Sequence, residues 1–561
     1  MSAAVDSEIT EWHRAAKAMG IDAHYRDGLG VDRCAPLETV RGALAAMGAP
    51  VSDPKKARLW WESERRREPE ILIDWRDGGA ACGERGAAYD RAYGDGRAQR
   101  FAATKPNPAS AQPRVGAFLP LYALRSKRSL GIGDLSDLGA LAGICRQAGD
   151  GFVATLPLFA VYAERSGSDA DRFDPSPYAP ISRTFFSELF LDLRALPEGQ
   201  ESAGAEAALR ALADENASPY VDYAKVARIR RTLLEPLVER AGDYLTNAPA
   251  DVLEYARFRA RDERSLRYHL YVQLRLREQL QALSERATLY LDLPVGVHRA
   301  GFDAARFSGD FLKGFSAGAP PDAMFPSGQC WGISALDPRG ARESGYASLR
   351  ASVETLARYA KLIRLDHVMA LHRTFCVPDG AQANEGVYIR ARSEELYAAL
   401  LCAAQGGGAS PVLIGEDLGN VPDEVSGALR EHGILGMHVA QLDPSLAASG
   451  SVSASVNTHD LAPFASYARG DDLRDYAELG FIDPDDLASA LNARGALCGD
   501  RTYASVRDGL LRGSASHVVI NLEDEWGERR PQNTPGTSTE RPNFCRRASQ
   551  TLEDIESWFV R

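Results

Sequence analysis

Eight short apolar runs, each leading into a polar or Gly-rich corner, constrain this chain more than any other feature. In order they are VGAFLPLYAL, GFVATLPLF, ATLYLDLPVGV, LIRLDHVMAL, PVLIGEDLG, ILGMHVAQL, SASVNTHDL and HVVINLEDEW. None alternates strictly between apolar and polar residues, which is the pattern of strands buried on both faces. Helical stretches separate them. Eight strand–helix units in series predict an α/β fold, a (β/α)8 barrel of the TIM type. The spacing is uneven. The stretch from Phe159 to Ala287 is too long for one barrel helix, so a mostly helical insertion is expected at about 160–286. Its second half, VLEYARFRARDERSLRYHLYVQLRLREQLQAL, reads as long amphipathic helix.

Upstream of the first run, residues 1–75 read as a small helical domain. A helix-like stretch runs from Ser7 to Met19, and the turn-rich GIDAHYRDGLG follows it. A second helix is expected in PLETVRGALAAMG, with Pro36 at its start and Gly48 as its stop. Residues 76–114, rich in Gly, Ala, Arg and Pro, read as a linker or a shortened N-terminal region, and 115–561 as the barrel.

Charge and cysteine usage exclude several function classes. Asp and Glu number 77 against 65 Lys and Arg, a formal charge of -12. Phosphate affinity comes from clustered Lys and Arg, so no nucleic-acid partner is expected. No run of 18 apolar residues occurs, so no membrane span is expected. MSAAVDSEITEWHRAAKAMG carries early acids and no apolar stretch, unlike a secretory signal. The eight cysteines, Cys34, Cys82, Cys145, Cys330, Cys376, Cys402, Cys498 and Cys545, are scattered, with no C-x-x-C pair. Such sparse thiols fit a reducing cytoplasm. GIGD at Gly131–Asp134 is not a nucleotide fingerprint, no Walker A pattern is present, and no G-x-S-x-G elbow supports a serine nucleophile.

In a barrel, chemistry collects at the C-terminal ends of the strands. Here those ends are acidic: Asp366 in IRLDH, Glu416 and Asp417 in GEDL, and Asp460 in NTHD. Alternate strand residues share a face, so Arg364 points with Asp366 and should hold it ionised. Glu416 has Ile414 on its own face, and an apolar neighbour favours a protonated carboxyl. One ionised and one protonated carboxyl on adjacent strands is what retaining glycoside chemistry requires. Each acid alone could equally be a cap or an ion-pair partner. Three on the functional ends of separate runs, with Arg364 and His459 beside two of them, favour a catalytic set. The same acids could ligate a metal, but barrel metal hydrolases usually take an H-x-H pair from the first strand, and GAFLPLYAL has no histidine. No metal and no cofactor are expected. Trp331 in SGQCWG and Tyr178 in SPYAP read as loop aromatics, packed or open to sugar stacking. His269 and His372 read as structural.

RSKRSLGIGDLSDL, DPSPYAPISR, YLDLPVGVH, GAPPDAMFPSGQCWG, IRLDHVMALHR, GEDLGNVPDEV, THDLAPFASYARGDDL and NTPGTSTERPNF occur in this order along the chain. In these motifs the chain resembles the bacterial 4-α-glucanotransferases (amylomaltases) of glycoside hydrolase family 77. The resemblance implies Asp366 as nucleophile, Glu416 as general acid/base and Asp460 as the carboxylate that holds sugar hydroxyls. It implies Arg364 and His459 at the cleavage site, and Trp331, Gln329 and Tyr178 in motifs lining the acceptor side. Asn533, in NTPGT, is implied near the cleft. Departures at Ser187, Ile333–Ala335, Ala370, Cys376, Ala462, Pro463, Ser466 and Tyr467 spare the three carboxylates and are expected near the substrate-binding rim. The expected activity is retaining transfer of α-1,4-glucan segments between maltooligosaccharides, in the cytoplasm. Hydrolysis by the same carboxylates and non-catalytic glucan binding are the other readings. Oligomeric state is not legible in the sequence.

Overall fold

The computed structural model describes residues 3–76, 88–93, 98–106, 114–149, 151–164, 172–199, 205–322, 324–407, 410–443, 445 and 452–559. All eight apolar runs contain a strand. They are β1 (Val115–Phe118), β2 (Phe152–Ala154), β3 (Leu289–Leu293), β4 (Leu362–Leu365), β5 (Val412–Gly415), β6 (Gly436–Val439), β7 (Val452–Ser455) and β8 (His517–Asn521). The sheet is parallel, in the order β5-β4-β3-β2-β1-β8-β7-β6. A parallel bridge between Ile414 and Leu435 joins β5 to the start of β6 and closes the barrel.

The two-residue period of the strands divides their side chains between lumen and helices. Phe152, Tyr290, Leu362 and Ile414 form an apolar cluster with Leu435, partly covered by Met437 and Val519. Their odd neighbours Leu289, Leu291, Ile363, Leu365 and Leu413 belong to the larger core that the surrounding helices cover. Gly116 admits the Phe152 ring, because a Cβ there would lie 2.2 Å from Phe152 Cδ2. Toward the C-terminal ends the same lumenal register changes character. Arg364 is paired with Asp292 on one side and with Ile414 on the other, so charges replace hydrocarbon at that level.

The β3–β4 and β4–β5 excursions build a second, antiparallel sheet from Phe311–Ala319, Gln329–Leu336, Arg373–Pro378 and Val387–Arg390. The two residues Ile21–Asp22 add to its edge against Val387–Arg390. The N-terminal helices Ala3–Ala18, Leu37–Ala46 and Pro54–Arg65 pack on this sheet, with Trp12, Ala43 and Trp61 in one cluster with Phe315, Ala335 and Cys376. The region expected to be helical therefore shares its core with the barrel's excursion. The turn-rich GIDAHYRDGLG also contributes to a small hairpin, His24–Arg26 with Asp32–Cys34.

Two further expectations are corrected. Within the stretch read as a linker, Ala88–Tyr93 and Ala98–Thr104 are strands: Ala98–Thr104 pairs in parallel with Glu70–Arg76, and Ala88–Tyr93 pairs antiparallel with Ala98–Thr104. Gln405 exchanges hydrogen bonds with both backbone groups of Thr104, tying this sheet to the helix Ser393–Gln405. Residues 77–87, 94–97 and 107–113 of that stretch, Cys82 included, lie outside the described residues. The long helix expected after residue 250 is two, Ala250–Arg259 and Glu263–Ser284. Asp262 caps the second by accepting from Ser265 N, and Ala260 before it is extended. Among the described residues, no helix is long and apolar enough to cross a membrane.

Candidate active site

A cleft of about 2080 Å³ opens over the C-terminal ends of the strands. Asp366, Glu416, Asp460, His459, Trp331, Tyr178, Gln329 and Asn533 all line it. Arg364 lies beneath, buried.

Asp366 follows directly on β4, and its backbone N–H continues the sheet by donating to Leu293 O at 3.0 Å. Arg364 Nη1 sits 3.0 Å from Asp366 Oδ1, as the alternation along the strand requires. The same nitrogen donates to both oxygens of Asp292 at 2.8 and 2.9 Å. Burial works against the guanidinium charge, but Asp292, Tyr178, Asp366 and Glu416 outweigh it and keep Arg364 protonated. Asp292 was not singled out from the sequence. Its signal was an acid inside the apolar run YLDL, and only the β3–β4 register shows that it faces Arg364.

After Asp366 the chain turns sharply, with His367 in the left-handed region (φ 46°). A non-glycine residue there costs about 1–3 kcal/mol of strain. The turn aims His367 N at Glu416 Oε2, 2.8 Å away, and Leu418 N donates to Oε1 at 3.1 Å. Burial is the largest influence on Glu416 and raises its pKa from 4.5 to about 8. Asp366 adds to the shift, while Arg364 and the two N–H donors oppose it. The acid is therefore neutral at pH 7, in the direction expected from the sequence.

A second chain of contacts runs from Asp292 to Asp460. Tyr178 Oη donates to Asp292 Oδ2 at 2.7 Å and lies 3.1 Å from His459 Nδ1. The two rings stack with centroids 4.5 Å apart and planes at 13°. His459 Nε2 in turn lies 3.2 Å from Asp460 Oδ1. Tyr178 has one proton, and Asp292 takes it. The Nδ1 contact then needs a proton on the histidine, and the Nε2 contact needs another. The imidazolium satisfies both. Burial alone would lower the His459 pKa, but Asp460 reverses this and raises it. Burial likewise opposes the Asp460 charge, yet His459 and Asn533 hold its pKa down at about 2. Asn533 Nδ2 donates to Asp460 Oδ1 at 2.8 Å, so this residue of NTPGT acts on the third carboxylate.

The loop after β7 that carries His459 and Asp460 is anchored from below. Asn457 Nδ2 donates to Asp524 Oδ2 at 2.9 Å, and Phe464 N to Oδ1 at 2.7 Å. Burial lifts the Asp524 pKa to about 7.

Trp331 is not a loop aromatic. It stands on the strand Gln329–Leu336, edge-on to His367 with centroids 5.0 Å apart, and its Nε1 donates to Gln329 Oε1 at 3.4 Å. His269 is buried in the helical insertion, and His372 Nε2 lies 3.0 Å from Tyr397 Oη, both outside the cleft lining. The departures expected at the rim are mostly interior. Ser187, Ser334, Ala335, Cys376, Ala462, Ser466 and Tyr467 are buried, and of the whole set Ile333 alone lines the cleft. Ser187 caps a short 3₁₀ turn through Leu189 N.

The model of glycoside hydrolase family 77, described as 4-alpha-glucanotransferase, matches residues 119–266 and 245–552. The 4-alpha-glucanotransferase of Mycobacterium tuberculosis is 29% identical over 525 residues, covering 78% of this chain and 72% of that protein. That of Haemophilus influenzae is 26% identical over 554 residues, covering 80% and 78%. Among solved structures, the amylomaltase from Corynebacterium glutamicum superposes with a TM-score of 0.82 at 22% identity, over 98% of both chains. At that identity the likeness speaks for the fold alone. A catalytic barrel with paired carboxylates at its mouth and a family model spanning most of the chain agree: the protein belongs to glycoside hydrolase family 77, the 4-alpha-glucanotransferases.

Proposed function

We propose that the chain transfers α-1,4-glucan segments between maltooligosaccharides with net retention, through a covalent glycosyl-enzyme on Asp366. The observation that carries this reading is the contrast between two neighbouring carboxyls. Asp366 has a permanent cation at 3.0 Å, whereas Glu416 is held neutral by burial. In the first half-reaction Asp366 Oδ attacks the anomeric carbon. Glu416 gives its proton to the departing 4-oxygen, and the shortened glucan leaves. In the second, the Glu416 carboxylate takes the proton of an incoming 4-hydroxyl, whose oxygen displaces Asp366.

Asp460, ionised and fixed by His459 and Asn533, is suited to accept hydrogen bonds from sugar hydroxyls. Arg364 fixes the Asp366 carboxylate, and Asp292, Tyr178 and His459 connect that ion pair to Asp460. Trp331 and Gln329, presented by the excursion sheet, are suited to an acceptor ring. The reading places the enzyme in the cytoplasm, where thiols stay reduced; the seven described cysteines carry no cross-link.

Incubation with maltotriose alone, followed by chromatography, tests the proposal. A ladder of longer oligosaccharides plus glucose is the expected result. Glucose and maltose without a ladder would establish hydrolysis instead. No turnover of either maltotriose or maltoheptaose would refute catalysis.

A further inference from the structure

Far along the chain from the barrel carboxylates, three metal-ligating side chains meet in the N-terminal region. His13 lies on the helix Ala3–Ala18, and His24 and Cys34 face each other across the small hairpin. His13 Nδ1 is 3.0 Å from His24 Nε2, and Cys34 Sγ is 3.9 Å from the same nitrogen. All three atoms lie within 4.8 Å of one another. We propose that His13, His24 and Cys34 form a binding site for a borderline-soft divalent cation of the zinc class, with a fourth position open to water.

The spacing suits such an ion. Bonds of about 2.05 Å to nitrogen and about 2.3 Å to sulfur, at tetrahedral angles, set the two nitrogens about 3.3 Å apart and nitrogen and sulfur about 3.6 Å apart. The observed 3.0 and 3.9 Å differ from these by a few tenths of an ångström. His24 and Cys34 are exposed and free to make that adjustment, while His13 is held on a helix whose Trp12 is buried in the core beneath. Two imidazoles and a thiolate select zinc, cobalt or copper over magnesium and calcium.

Binding balances as follows. Cys34 releases its thiol proton to solvent and coordinates as thiolate. Each imidazole gives a ring lone pair and keeps one proton on its other nitrogen, which is Nε2 for His13 and Nδ1 for His24. His13 Nε2 is buried without a hydrogen-bond partner among the described residues. Ligating histidines usually donate that proton to a carbonyl or carboxylate, and lack of such an acceptor lowers affinity about 10–100-fold. The site is therefore reversible and open to chelators. A second cluster, Glu394, Glu431 and His432, is less suited. Glu431 is already paired with Lys105 at 3.0 Å, and the cluster has no thiolate to favour a borderline-soft ion. No compact spacing announces the first site in the sequence, because its ligands stand at 13, 24 and 34 on separate elements.

Cobalt(II) titration of the full-length chain tests the proposal, since a thiolate–cobalt bond gives a near-ultraviolet charge-transfer band. The expected result is a band that saturates at one cobalt per chain and is displaced by zinc. Cys34→Ser abolishes it, His24→Ala weakens cobalt binding by more than the about 10–100-fold that losing a partner behind a ligand costs, and Glu394→Gln leaves it unchanged. Circular dichroism of each variant reports that the fold is kept. Absence of the band in the wild type, its survival in Cys34→Ser, or unchanged affinity in His24→Ala would overturn the assignment. So would its loss in Glu394→Gln.

Discussion

Glu416→Gln should remove activity while reversing its own effect on stability between acid and alkaline pH. In the folded protein burial lifts this carboxyl from 4.5 to about 8. Between those values the folded chain holds a proton that the unfolded chain has released. The group's contribution to stability is thus fully present below 4.5 and is lost as pH rises through about 8. At about 1.4 kcal/mol per tenfold change in proton affinity, the upper bound of that loss is about 5 kcal/mol. Water entering from the cleft reduces it to about 2–3 kcal/mol. Glutamine escapes this penalty but has one acceptor oxygen where His367 N and Leu418 N each use one. Losing one of those hydrogen bonds costs about 1 kcal/mol at any pH. The variant should therefore be less stable than wild type by about 1 kcal/mol near pH 4.5 and more stable by about 1–2 kcal/mol above pH 8. Urea unfolding across that range reads the crossover. Chromatography of maltotriose products should show transfer reduced about 10²–10⁴-fold. A variant equally destabilised at every pH would refute the claim that the fold holds Glu416 neutral.

Three more outcomes follow from the same contacts. Asp366→Asn should lower turnover by several orders of magnitude with an unfolding midpoint close to wild type, and near-normal product formation would remove it from the nucleophile role. Arg364→Met leaves Asp292 and Asp366 facing each other without their shared cation, so urea denaturation should show a loss of about 3–5 kcal/mol; a neutral result would mean that water already solvates the pair. His459→Gln removes the imidazolium that offsets burial at Asp460. That carboxylate should then protonate at a higher pH, moving the acid limb of the kcat/KM profile upward, and an unmoved limb would show that His459 does not set the charge of Asp460.

What could be read along the chain was whatever depends on local pattern. The apolar runs located all eight barrel strands, because a strand covered on both faces reads as a mostly hydrocarbon run whatever its neighbours are. The alternation of Arg364 with Asp366 was visible for the same reason: the strand repeat is two, so residues two apart meet without further information. The tertiary structure decided everything that depends on register between elements. Asp292 became a partner of Arg364 only because β3 aligns it there. Tyr178 and His459, 281 residues apart, became one hydrogen-bonded stack only when two loops met over the barrel. Family motifs carried Asn533 to the vicinity of the cleft, but its bond to Asp460 is a matter of distance in space. The N-terminal helices looked self-contained because their amphipathic faces are local, whereas the sheet that covers those faces is built from residues hundreds of positions away. The acidity of Glu416 shows both sides at once. Ile414 hinted at an apolar setting, but the magnitude comes from burial and from Asp366 and Arg364 across the strand boundary, and a one-dimensional pattern carries no measure of depth.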